Sequence, residues 1–81
     1  MILKYIILEN QNTPILFPRE PFSHFEIAKN LGGVKSAGFC IIHFTEGKLK
    51  IKCFGDSSTL KIKSNPKEDI EIIKNFIINK Y

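Results

Sequence analysis

The chain has no tryptophan, a single arginine, two cysteines and no long apolar run. Each shortage closes off a class of function. No stretch approaches the roughly 20 consecutive apolar residues that a membrane helix needs, so no membrane association is expected. Cys40 and Cys53 form no Cys-x-x-Cys, and neither His24 nor His43 stands at ligand spacing from them, so no metal site is expected. Gly32-Gly33 leads into a strand pattern rather than a helix, which is not the arrangement of a phosphate-binding loop. The N-terminal Met-Ile-Leu-Lys-Tyr-Ile-Ile-Leu has no basic lead-in and no small-residue cleavage site, so a secretory leader is not expected and a cytoplasmic location is. Neither histidine has a carboxylate and nucleophile arranged with it in sequence. No catalytic residue and no cofactor is therefore assigned, and a non-enzymatic protein is expected.

What is present describes one small folded domain, residues 1–81. Hydrophobic residues make up 43% and charged residues 25%, ordinary values for a globular chain. A domain of this length leaves much of its surface exposed and is marginally stable, which a homo-oligomer, a dimer or higher, would relieve. The net charge of +4 comes almost wholly from lysine, with Arg19 the one arginine. That balance permits a polyanionic partner. The scarcity of arginine, the residue best suited to bidentate phosphate or guanine contacts, points instead to solvated surface lysines.

The strongest pattern lies in Val34 to Gly55, where two β-rich runs flank Thr45-Glu46-Gly47-Lys48. This is a hairpin signal. A turn there pairs Phe44 with Leu49, Ile42 with Ile51 and Cys40 with Cys53 on one apolar face, which should be core. The other face pairs His43 with Lys50, Ile41 with Lys52 and Phe39 with Phe54. A three-residue loop would slip the register by one and set lysines opposite Cys40, Ile42 and Phe44. It is disfavoured because it mixes charge into the apolar face. The facing cysteines could form a strained cross-strand disulfide, but two buried thiols are the plainer state in a reducing compartment.

Ile2–Leu8, apolar on both faces except Lys4, reads as an interior strand. Ile15-Leu16-Phe17, closed by Pro18, reads as a short edge strand. Ser23 and Glu26 form a capping box, and Phe22 and Ile27 a hydrophobic staple, so a short helix starts at residue 24. Ile27, Ala28 and Leu31 give its core face and Gly32-Gly33 its end. Thr59–Lys63 reads as a last strand. Asn65, Pro66, Glu68 and Asp69 open a second helix with a cap, a first-turn proline and acids at the positive end of the dipole. The order β-β-α-β-β-β-α predicts an α+β fold: one antiparallel sheet of about five strands with two helices packed on it.

Three surfaces could bind something. The turn Gly55-Asp56-Ser57-Ser58-Thr59 offers hydroxyls beside Lys52 and Lys61, with His24 further off, and could hold a small phosphorylated ligand such as a nucleotide. The plainer account is a turn whose polar side chains bond their own backbone, with His24 facing solvent or bonded locally. Lys48, Lys50, Lys52 and Lys63, with Phe39 and Phe54, could form a lysine and aromatic sheet face for nucleic acid. The competing account is a solvated face whose aromatics are covered. The second helix carries a broad apolar arc in which Ile72, Phe76 and Ile78 could form an interface with another copy or a partner.

Leu16-Phe17-Pro18 with Ser23-His24, Val34-Lys35-Ser36-Ala37-Gly38-Phe39, and Cys53-Phe54-Gly55-Asp56-Ser57-Ser58-Thr59-Leu60 with Ser64-Asn65-Pro66 and Glu68-Asp69 together resemble small proteins of phage and prophage genomes. The family brings no activity with it. The resemblance implies a context, the host cytoplasm, and an accessory or anti-defence role in which the protein binds a host protein or captures a nucleotide signal.

Overall fold

The computed structural model describes residues 2–80. Strand β1 (Ile2–Leu8) is followed by a single 3-10 turn at Asn10–Asn12, strand β2 (Pro14–Pro18) and helix α1 (His24–Ala28). Strands β3 (Val34–Thr45) and β4 (Lys48–Phe54), a two-stranded ribbon of β5 (Asp56–Ser57) and β6 (Ile62–Lys63), and helix α2 (Pro66–Lys80) complete the chain. The fold is α+β, as expected. The sheet is antiparallel with order β2-β1-β3-β4, and the ribbon forms a separate sheet. The strand expected over Thr59–Lys63 shrinks to Ile62–Lys63, because Ser58 to Lys61 make the turn that folds β6 back onto β5. The sheet therefore has four strands rather than five.

Alternation along β1 decides how the two layers of core form. Tyr5 and Ile7 point to the side covered by α2 and join Cys40, Cys53 and Ile73. Ile6 points to the other side and joins Phe17, Ala28 and Ala37 beneath α1 and the ribbon, where Leu60 and Ile62 also pack. Both faces of β1 are thus buried, which accounts for its nearly continuous apolar sequence. The β2 edge carries the prolines, where a missing N–H costs no ladder bond.

The hairpin has the expected register: Phe39↔Phe54, Cys40↔Cys53, Ile42↔Ile51 and Phe44↔Leu49 are all paired. Glu46 and Gly47 take φ of 54° and 76° in a two-residue turn. Two consecutive positive φ values match the right-handed twist of the strands, and Gly47 reaches its value without a Cβ clash.

Helix α1 starts as its sequence indicates. Ser23 Oγ accepts from the Glu26 N–H at 3.1 Å, and Glu26 Oε1 accepts from the Ser23 N–H at 3.1 Å. The helix ends sooner than the glycine pair suggests, with Lys29 as its C-cap. Leu31 then lies past the helix and is exposed, a correction to its place on the core face. On α2, Ile73 is fully buried, with Ile70, Ile72 and Ile77 packed around the same core.

Candidate nucleic-acid interface

The sheet has one closed face and one half-open face. Helix α2 covers the first. On the second, α1 and the β5–β6 ribbon cover the end around Ile6, Phe17 and Ala37. The rest of that face is built from cross-strand rows set by the register. One row runs Phe17, Lys4, Phe39, Phe54; the next runs Ile2, Ile41, Lys52; beyond them His43 stands opposite Lys50 and Thr45 opposite Lys48. Lys48, Lys50, Lys52, His43 and Thr45 are exposed, and Phe39, Ile41 and Phe54 are half-buried. Alternate residues on a strand are about 6.8 Å apart, so β4 presents a regular line of positive charge. The ion pair among the described residues joins Lys35 to Glu68, on another part of the molecule, so the β4 lysines are not neutralised by a neighbouring acid.

The aromatic pair beside that line is held from the α1 side. The rings of Phe39 and Phe54 are stacked, with centroids 5.8 Å apart and planes 22° from parallel. His24 meets Phe39 edge-on at 5.7 Å and Phe17 edge-on at 5.6 Å. Its Nε2 lies 2.8 Å from the carbonyl oxygen of Gly38. A carbonyl only accepts, so Nε2 carries the hydrogen and donates. Burial lowers the pKa of the ring, with Lys4 adding to the effect; the Gly38 bond and Asp56 act against it. His24 is therefore a neutral buttress. This corrects the expectation of a solvent-facing or locally bonded residue: it is buried and bonded across 14 positions of sequence.

A cavity of about 430 Å³ opens against the stack, lined by Ile2, Lys4, Arg19, Glu20, Phe39 and Phe54. Lys4 Nζ donates to the Phe22 carbonyl at 2.8 Å, which fixes the loop after β2 over the sheet. Arg19 and Glu20 ride on that loop, and neither has a hydrogen bond or ion pair among the described residues. The chain's one arginine thus stands beside the Phe39–Phe54 stack. Nothing in the sequence pattern joins the loop to the hairpin. The link passes through β1, which pairs with β2 on one side and β3 on the other.

The hydroxyl-rich turn uses its polar groups internally. Ser57 is buried, its Oγ accepting from the Leu60 N–H at 3.2 Å and lying 3.3 Å from Thr59 Oγ1. Thr59 Oγ1 in turn accepts from the Phe25 N–H at 3.3 Å, tying the ribbon to α1. Ser58 is exposed, and Lys61 sits in the turn with φ of 57°. Lys52 stands on the open part of the sheet face, whereas His24 is buried between α1 and the covered end of that face, so these six residues are not gathered into one site. Lys63, opposite Asp56 in the ribbon, lies outside the four-stranded sheet and its β4 lysine line.

Of the three interface candidates on α2, Ile72 and Phe76 border one cavity and Ile78 stands apart from them. Ile72 packs on the core. Phe76 is half-buried and lines a cavity of about 460 Å³ with Ile72, Gln11, Asn12 and Asn75. Ile78 is exposed in a groove of about 510 Å³ between α2 and the hairpin, with Phe44, Leu49 and Ile77 along its walls and Lys48 and Lys74 at its sides.

One polar cluster has no counterpart in the sequence reading. Asp69 is fully buried and accepts from Tyr5 Oη at 2.5 Å, Ser36 Oγ at 2.8 Å and the Asn65 N–H at 2.8 Å. Nearby, Cys40 and Cys53 are free thiols, and burial, the largest cause, pushes their pKa values up to about 12 and about 11. Thiols so far from ionisation at neutral pH are poor nucleophiles.

In comparisons with family models, curated proteins and solved structures, nothing matches this chain.

Proposed function

We propose that the protein is a non-enzymatic binding module that holds single-stranded nucleic acid across the open half of its sheet. The observation that carries this reading is the coincidence, on one face, of the Phe39–Phe54 stack, the line of Lys48, Lys50 and Lys52, and the loop that brings Arg19 to the stack. Lysines along a strand track a phosphate backbone, and an aromatic edge at the same level receives an unstacked base. A duplex keeps its base faces covered, so the aromatic contacts favour a single strand. The small phosphorylated ligand expected at Ser57, Ser58 and Thr59 is the weaker reading, because Ser57 and Thr59 already spend their hydroxyls on the turn and on α1. On the stronger one, an accessory role in a phage or mobile element would be exerted by occupying nucleic acid.

The test is fluorescence anisotropy with a labelled oligodeoxythymidine across a salt series. Three lysine–phosphate contacts give a log–log slope of about −2, from roughly −0.7 per phosphate for single strands. The Lys50→Glu, Lys52→Glu double variant should abolish binding, and a matched duplex should bind more weakly. An affinity left unaltered by the double variant, or indifferent to salt, rules the reading out.

A further inference from the structure

Glu20 is the one acid lining the cavity at the aromatic stack. On a surface for a polyanion, a free carboxylate repels the ligand unless a specific contact offsets it. Glu20 has no such contact within the protein, because it is exposed and unpaired among the described residues, even though Arg19 precedes it directly. The groups of nucleic acid that a carboxylate can bind are its hydrogen-bond donors, and the bases differ sharply in how they present them.

A carboxylate has two acceptor oxygens side by side and no donor. Guanine alone carries two adjacent N–H groups on its pairing edge, at N1 and the 2-amino group, matching both oxygens at once. Adenine and cytosine set one amino group beside a bare ring nitrogen, whose lone pair opposes the second oxygen. Thymine and uracil set one N–H between two carbonyls. Resting on the nucleic-acid reading above, we infer that the cavity between the Arg19–Glu20 loop and the Phe39–Phe54 stack is a guanine-selective base pocket. The base lies against the phenylalanines, Glu20 accepts from N1–H and the 2-amino group, and Arg19 takes the adjoining phosphate. Stacking on an aromatic while the pairing edge is read by a side chain is the usual way an unpaired base is recognised.

The experiment uses the full chain and labelled eight-nucleotide oligodeoxythymidines in which one central position is dT, dG, dA, dC or deoxyinosine. The dG oligomer should bind about tenfold more tightly than the dT, dA or dC oligomers, the discrimination typical of a bidentate base contact. Deoxyinosine, which keeps N1–H and lacks the 2-amino group, should fall between dG and dT. Glu20→Gln should erase the preference for guanine while binding the all-dT oligomer at least as tightly as the unaltered protein. Equal affinities for all five oligomers overturn the inference and leave the nucleic-acid reading standing. A guanine preference that survives both Glu20→Gln and Glu20→Ala overturns the role of Glu20. Failure to bind every oligomer overturns the inference together with the reading on which it rests.

Discussion

Tyr5 donates its phenolic hydrogen to Asp69 at 2.5 Å, joining the first strand to the last helix across 64 positions of sequence. The bond lies in the short range of hydrogen bonds to charged acceptors. Both residues are fully buried, and Ser36 and the Asn65 N–H occupy the remaining acceptor sites that matter. Tyr5→Phe should therefore destabilise by about 1–3 kcal/mol, the cost of leaving a buried acceptor short of a donor. In a domain of this size that corresponds to a fall of several degrees in Tm per kcal/mol. Equilibrium denaturation checks it, and an unchanged midpoint would mean the bond contributes nothing net.

That contact also marks where the sequence stops being informative. The hairpin register was legible because alternation assigns each residue of Phe39–Thr45 and Lys48–Phe54 to a face, and only one pairing keeps lysine off the apolar one. The interior position of β1 was legible for the same reason. In the sequence Asp69 is only a favourable charge in the first turn of α2, since its local pattern says nothing about Tyr5 or Ser36. The hydroxyls of Tyr5 and Ser36, on strand faces that are otherwise apolar, are the available hint, as a buried tyrosine hydroxyl usually finds a partner. The burial of His24 is not legible in the sequence, because α1 is too short for its pattern to define a buried face. Arg19 and Glu20 could not be placed at the aromatic stack, because the loop after β2 crosses the sheet by a path no local signal records.

His24 makes stability depend on pH on the acid side. Its folded pKa is lowered from 6.5, chiefly by burial, so the unfolded chain takes up the proton first. Stability is complete above about pH 6.5 and declines as pH falls through the lower folded value. Urea midpoints between pH 7.5 and pH 5 should fall in the unaltered protein and fall less in His24→Gln. Parallel curves for the two proteins would show that another group carries the effect.

Cys40 and Cys53 set an opposite limit. Their folded values near 12 and 11 lie above the ordinary 9.0, so the stability they contribute is intact below pH 9 and is lost as pH rises through the folded values. Tyr5, also raised, chiefly by burial, acts in the same direction. At pH 8 both thiols should react slowly with a disulfide reagent in the native protein and rapidly in denaturant. Fast native labelling of either would contradict their burial.

Phe44 is 70% exposed and Ile78 56%, and both line the groove between the hairpin and α2. Replacing either with serine should change stability by no more than about 0.5 kcal/mol, as for other exposed surface sites. Sedimentation should show any self-association of the unaltered chain reduced in Ile78→Ser. A monomer at all concentrations would count against the expected homo-oligomer, and a large loss of stability in either variant would count against the exposure itself.

The aromatic and basic parts of the sheet face should leave different signatures in binding. Lys50→Ala removes one phosphate contact and should reduce the salt slope by about 0.7 while weakening oligonucleotides of every composition alike. Phe54→Leu keeps an apolar side chain opposite Phe39 but removes the stacking surface. It should cost binding about 1–3 kcal/mol, the worth of one base–aromatic stack, with the salt slope unchanged. Gly55, directly after Phe54, has φ of 77° and a Cβ there would press on Phe39, so its alanine variant should disturb the stack from the other side. If Phe54→Leu lowered the salt slope as well as the affinity, the stack and the lysine line would not be acting as separate elements of one site.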